Sequence, residues 1–153
     1  MAVERDRPYS QFNFRVHIDG GPPEDNFKAG FQEVSGLGME ITVAEYRGGN
    51  HKDNTTKKIT GTYKVPDVTL KRGVIGDPAT LFGWIDKVRN GSQKELRNVT
   101  VKLMSEDRET VVQEWTLTNA RPTKYTGPSL SGKGTDVAVE ELVLACERID
   151  IPL

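Results

Sequence analysis

The sequence predicts a mainly β protein: an antiparallel β-barrel or sandwich with one flanking α-helix. Three observations predict it. Segment after segment alternates apolar and polar side chains with the period of two that marks a half-buried strand. Only one stretch, at about residues 78–90, carries apolar residues at helical spacing. That helix lies between two groups of strands, an order that suits an antiparallel sheet and not the regular alternation of a βαβ fold. The chain has 153 residues with no linker, repeat or low-complexity tract, and reads as a single domain, residues 1–153. A domain of that size buries a core without help from disulfides or metal.

The elements follow in order. Phe12, Phe14, Val16 and Ile18 alternate with Gln11, Asn13, Arg15 and His17, and Gly20-Gly21-Pro22-Pro23 stops this strand. A second strand is expected from Phe27 to Val34, closing at Ser35-Gly36-Leu37-Gly38. From Met39 to Val65 the alternation weakens: Glu45-Tyr46-Arg47-Gly48-Gly49-Asn50 reads as a turn, and His51 to Lys58 as polar and flexible. So long an irregular stretch inside a compact domain is more often functional than incidental. Val68-Thr69-Leu70-Lys71-Arg72 returns to strand chemistry. Asp77 is a good N-cap and Pro78 fits the first helical position, where its missing N–H costs nothing. Leu81, Trp84 or Ile85, and Val88 then recur at helical spacing, and Asn90-Gly91 is a C-terminal stop. Val99, Val101 and Leu103 mark a strand, as do Trp115 and Leu117. The last strand is long, Asp136 to Arg148, and changes character at Glu140-Glu141. That switch suits a strand that leaves one surface and joins another, or extends to a neighbour.

Charge excludes one class of function. With 21 basic and 22 acidic residues the formal net charge is −1, so the chain lacks the basic excess with which a dedicated nucleic-acid binder neutralises phosphates. The single cysteine, Cys146, allows no intrachain disulfide. The charged opening Met1 to Pro8 has no apolar core like that of a signal peptide, and no stretch approaches the roughly 20 apolar residues of a membrane span. Synthesis and assembly in the cytoplasm, without direct membrane insertion, are therefore expected.

Site chemistry is sought and not found. Gly127 to Thr135 nearly matches a phosphate-binding loop, but Gly134 stands where a Ser or Thr is required, and strand-like Asp136-Val137-Ala138-Val139 follows where a helix is needed; a flexible turn is the better reading. His17 and His51 have no ligand-spaced partner, so no metal site is expected. Cys146 has no acid–base partner and reads as a small packed residue. Glu140 and Glu141 point to opposite faces of a strand and cannot flank one bond; they read as a solvated or subunit-contacting patch. Trp84 and Trp115 read as core or interface aromatics. No catalytic, cofactor-binding or metal residue is expected, which favours a structural or binding role over an enzyme.

Several segments taken together carry a resemblance. They are Phe12-Asn13-Phe14-Arg15-Val16, Phe31-Gln32-Glu33-Val34-Ser35-Gly36-Leu37, Glu45-Tyr46-Arg47-Gly48-Gly49, Val68-Thr69-Leu70-Lys71-Arg72-Gly73, the helix bearing Trp84, Trp115 leading into Asn119-Ala120-Arg121-Pro122-Thr123-Lys124-Tyr125, and Val137 to Leu144. In this order and spacing, over nearly the whole chain, they resemble the contractile-tail tube protein family, which comprises tube subunits of contractile phages and of related injection systems. The haemolysin-coregulated protein of type VI secretion looks like a more distant relative.

The resemblance implies a barrel flanked by a helix, hexameric rings stacked into a hollow tube, and no catalysis. It implies further copies of the chain, a sheath protein, and baseplate and tube-terminator proteins as partners, with DNA or an effector protein as cargo in the lumen. The finished tube would belong to a virion tail or an injection particle. Alternative roles are a ring-forming tube terminator, a baseplate adaptor or an effector-carrying type VI-like tube protein. The resemblance also implies that the loop after the second strand, about Met39 to Lys58, reaches neighbouring subunits. Seven Lys or Arg lie between Glu45 and Arg72, against three acids. The expected subunit interface is therefore Glu45, Tyr46, Arg47, Lys52, Lys57, Lys58, Lys71 and Arg72 of one subunit meeting the acidic surface of Glu140 and Glu141 on another.

Overall fold

Alternating side chains build most of this molecule, whose structure, a computed structural model, describes residues 6–19, 30–74 and 81–152. These form β1 (Phe14–Ile18), β2 (Phe31–Ser35), β3 (Glu40–Tyr46), β4 (Lys57–Lys64), β5 (Val68–Gly73), α1 (Phe82–Arg89), β6 (Arg97–Met104), β7 (Val111–Thr126), β8 (Val139–Ala145) and β9 (Arg148–Asp150). Seven strands make one antiparallel sheet in the order β1-β6-β7-β8-β5-β2, with β9 added beside β7. Among the described residues β3 and β4 pair only with each other. The inward residues of the sheet are those the period of two selects: Val16 and Ile18, Val99 and Val101, Val68 and Leu70, Leu142 and Leu144. Strands from both ends of the sheet supply this one cluster, so the sheet wraps around its core. It does not close. β1 and β2, its two end strands, do not pair, and an open cleft of about 1050 Å³ lies between them. The fold is thus the expected mainly β, antiparallel one with a single helix, its sheet wrapped but not closed among the described residues.

β7 makes the wrapping possible. Its first part pairs with β6 through Ala120, and its second part, from Arg121, pairs with β8. Asn119, between the two parts, has φ +54°, a left-handed conformation that asparagine tolerates better than most residues. Its side-chain amide donates to Glu147 Oε2 at 2.8 Å, and Arg121 donates to Glu147 Oε1 at 3.0 Å. The closing segment follows the same bend. β8 runs along the second half of β7, the chain turns at Cys146–Glu147, and β9 runs along the first half. The single long strand expected from Asp136 to Arg148 is therefore two strands, and the switch falls at Cys146–Glu147 and not at Glu140-Glu141.

α1 packs against β7. Trp84 is fully buried, its indole N–H donates to the Glu95 carbonyl at 2.9 Å, and the Arg97 guanidinium lies 5.0 Å from the ring centroid. The helix stops where the sequence places its end. The Asn90 N–H donates to the Asp86 carbonyl, and Gly91, at φ +96°, donates to the Val88 carbonyl, a left-handed ending that glycine adopts without steric cost. The expected cap, Asp77 with Pro78, lies outside the described residues, as does the Phe27–Ala29 part of the second expected strand. Trp115 is half-buried against the core. The near-match to a phosphate loop is a turn at Ser131–Gly134.

The stretch from Met39 to Val65 departs most from expectation. It is a regular hairpin: β3 and β4 pair from Glu40↔Lys64 to Tyr46↔Lys57, with a bulge opposite Thr42 at Gly61-Thr62. All residues of both strands are exposed. A hairpin wet on both faces has no one-sided apolar stripe, which is why the period of two is weak there.

The turn from β6 to β7 is held by one carboxylate. Asp107 accepts hydrogen bonds from the Ser105 hydroxyl (2.6 Å), the Glu109 and Thr110 N–H groups (2.8 and 3.0 Å) and the Thr110 hydroxyl (2.9 Å). These bonds, the Ser105 hydroxyl first, hold its carboxyl far below the unfolded value of 3.8. A carboxyl depressed in the folded state stabilises fully above its unfolded value and loses that contribution as pH falls below it. Asp107→Asn should therefore lower the melting temperature at pH 7, and the gap to wild type should shrink progressively below pH 3.8. Thermal melts from pH 7 to pH 2 check this; a gap that stays constant with pH would mean the carboxylate charge is not what holds the turn.

Candidate subunit interface

The hairpin leaves the body at a pinched base. Gly36 has φ +89°, and its α-carbon backs directly onto the Asp67 carbonyl, so the outgoing leg at Gly36 and the returning leg at Asp67 touch. Beyond this point β3 and β4 pack extensively on no other element of the described chain. Eight residues of β4 at about 3.3 Å each span roughly 26 Å. One face carries Ile41, Val43 and Tyr63 and then the facing charges Glu45 and Lys58; the other carries Ala44 beside Ile59, then Tyr46 beside Lys57. Met39, Ile41, Val43, Tyr46, Ile59 and Tyr63 are all strongly exposed. At the tip, Arg47 donates to the Asp53 carbonyl at 2.9 Å and the His51 carbonyl at 3.0 Å, which closes the loop that carries Lys52.

Six of the expected interface residues, Glu45, Tyr46, Arg47, Lys52, Lys57 and Lys58, thus share the far half of this hairpin. The other four lie in the body on neighbouring strands, with Lys71 opposite Glu141 and Arg72 opposite Glu140. Lys71 and Glu141 are on the outer side, and Lys71 Nζ is 3.3 Å from Glu33 Oε2. Arg72 and Glu140 point inward. Their side chains are 1% and 9% exposed, and Arg72 Nε donates to Glu140 Oε1 at 2.7 Å. The Tyr125 hydroxyl donates to Glu140 Oε2 at 2.7 Å. Burial, and then the carboxylate beside it, push that phenol up to about 12. Phe82 of α1 meets the Tyr125 ring edge-on, with centroids 5.5 Å apart.

Lys71, Arg72, Glu140 and Glu141 thus come together on neighbouring strands of one subunit. Arg72 and Glu140 are each other's buried counter-ion within the subunit, and a charge taken from water keeps its partner. Glu141 lies opposite Lys71 in register, while the Lys71 ammonium goes to Glu33. The apolar residues Met39, Ile41, Val43, Ile59 and Tyr63 are the part of the surface that charge-based reasoning passes over. The available signal was the β-branched and aromatic content of Ile41-Thr42-Val43 and Ile59-Thr60-Gly61-Thr62-Tyr63.

The sequence pattern of the T4-like virus tail tube protein gp19 family matches residues 10–150. The chain belongs to that family. This tail tube protein is also similar to a chain of the PVC sheath-tube complex of an extracellular contractile injection system in the extended state, at 28% identity over 95% of this chain and 91% of that one, with a TM-score of 0.80. It is similar to a chain of the PVC sheath/tube terminator in the extended state, at 29% identity over 97% and 99% of the two chains, with a TM-score of 0.79. Hcp1 from Flavobacterium johnsoniae shares the fold, at 15% identity over 92% and 94% of the two chains and a TM-score of 0.57. No curated protein matches the chain. The tail tube family is a structural family and not an enzyme family.

Proposed function

We propose that this tail tube protein is the repeating subunit of the inner tube of a contractile phage tail or injection system, forming hexameric rings that stack into a hollow conduit for DNA or an effector protein. The observation that carries the reading is the β3–β4 hairpin. An isolated two-stranded sheet is marginal in water, and this one is exposed at every residue and presents five large apolar side chains. Exposed apolar patches on that scale mark interaction surfaces. A hairpin given by each copy and received by the next is a heterologous contact, which propagates as a ring or a stack. Sheath, baseplate and terminator proteins are the further partners the reading implies. Assembly in the cytoplasm precedes incorporation into a tail or particle.

Electron microscopy of the purified protein over a range of concentrations tests this. Wild type should give tubes of stacked rings. Ile41→Asp with Tyr63→Asp, both at exposed positions, should leave the far-ultraviolet circular dichroism unchanged and abolish tubes. A variant that forms tubes as wild type does would remove the hairpin from assembly. The similarity to a chain of the sheath/tube terminator structure favours a second reading, a terminator that caps the tube; single closed rings that never stack would support it.

A further inference from the structure

We propose that Asn90-Gly91 is a site of spontaneous backbone modification that the folded chain holds shut, so that loss of the Asn90 amide records opening of the end of α1. The side-chain amide of an asparagine is open to attack by the backbone nitrogen of the next residue. Here Gly91 N forms a bond to Asn90 Cγ, the bond from Cγ to the side-chain nitrogen breaks, and ammonia leaves with the proton from Gly91 N. The product is a succinimide ring. Water then adds to either ring carbonyl and opens the ring to aspartate or to isoaspartate, whose extra methylene lies in the backbone. A Cβ on the following residue hinders the attack, and glycine has none. Asn13, Asn26, Asn50, Asn54, Asn98 and Asn119 all precede a residue with a Cβ, and only Asn90 precedes a glycine. Asn90 and Gly91 are both exposed, so water reaches the reacting groups.

The fold opposes the attack. Asn90 ends α1 with φ −83° and ψ +13°, and ring closure requires ψ to rotate well away from that value to carry Gly91 N round to Cγ. Two hydrogen bonds beyond Asn90 resist the rotation. The Gly91 N–H donates to the Val88 carbonyl at 3.0 Å and the Ser92 N–H to the Lys87 carbonyl at 3.2 Å, the paired ending in which a left-handed glycine closes a helix. Two bonds that must open together slow ring closure by at least about tenfold. Modification would also damage what it touches. A carboxylate in place of the Asn90 amide stands at the C-terminal end of the helix, where the macrodipole disfavours it, and four residues after Asp86, a like charge at helical spacing. Isoaspartate lengthens the backbone ahead of Gly91, so the paired ending loses its register. The helix loosened in this way is the one that buries Trp84.

Peptide mapping by mass spectrometry tests this on wild type and Ser92→Pro, each incubated in mildly alkaline buffer, folded and in urea. Ser92→Pro removes the Ser92 donor and leaves Asn90 and Gly91 in place. In urea, Asn90 should be the first asparagine to convert in both proteins. Folded wild type should convert there at least about tenfold more slowly than its unfolded chain. For folded Ser92→Pro, checked by circular dichroism, the slowing relative to its own unfolded chain should shrink by at least about twofold. Equal rates in folded and unfolded wild type, or another asparagine converting first in urea, overturn the proposal. A folded variant slowed as much as wild type overturns it too, since the paired helix ending is then not what holds the site shut. Hydrogen exchange of the Gly91 amide gives a reading that does not depend on the variant. As urea is raised below the unfolding transition of wild type, exchange and conversion should accelerate together; conversion that stays flat while exchange rises overturns the proposal whether or not Ser92→Pro folds.

Discussion

Arg72→Met should destabilise the folded chain by about 3–5 kcal/mol, and so should Glu140→Gln, because each leaves a buried partner without its counterpart. That is a large share of the roughly 5–15 kcal/mol that holds a domain of this size. The pair joins β5 to β8, and the Tyr125 hydroxyl extends it to β7, so the loss should act across three neighbouring strands. The double variant Arg72→Met with Glu140→Leu should recover most of the loss, since a buried ion pair replaced by apolar groups of similar size is often close to neutral. Urea unfolding of the four proteins gives the coupling energy as a double-mutant cycle. Single variants that cost less than about 1 kcal/mol, or a double variant that costs the sum of the two, would show that the pair does not act as a unit.

Gly36→Ala should be the most damaging small substitution at the root of the hairpin. A Cβ there would press into the Asp67 carbonyl oxygen and stand 3.2 Å from the Asp67 carbonyl carbon and 3.3 Å from Val68 Cα. All three are backbone atoms, which cannot swing aside as a flexible side chain does. The φ of +89° adds strain of about 1–3 kcal/mol for any residue with a Cβ. The two legs must then separate, so the expected result is a loss of at least about 2 kcal/mol in urea unfolding together with loss of tubes by electron microscopy. Gly38→Ala, two residues further on, meets nothing within 4 Å and should change stability by less than about 1 kcal/mol. Equal effects at the two positions would show that the pinch at Gly36 does not set the direction of the hairpin.

Legibility in the sequence tracks burial on one side. Val16 and Ile18, and Val99 and Val101, alternate with polar neighbours because one face of each strand meets the core, and both strands are readable. The Asn90-Gly91 stop was readable because it depends on local backbone geometry alone. The hairpin was not, since with water on both faces Ile41 to Tyr46 and Ile59 to Lys64 carry no one-sided pattern. Glu140 misled for the opposite reason. An acid on the core face looks like a surface residue until its partner is known, and Arg72 lies 68 positions away in sequence.

By itself, then, the sequence determined the antiparallel β class, the strand-forming faces, the end of the helix, and the family through the order of its motifs. Those follow from period, turn chemistry and local pairing, which are properties of neighbouring residues. The tertiary structure alone decided that β7 bends at Asn119 to join both halves of the sheet, that Arg72 and Glu140 are buried together, and that a hairpin bearing apolar side chains packs extensively on no other element of the described chain. Each of these depends on groups far apart in the chain being brought together or kept apart, and no local pattern records such distances.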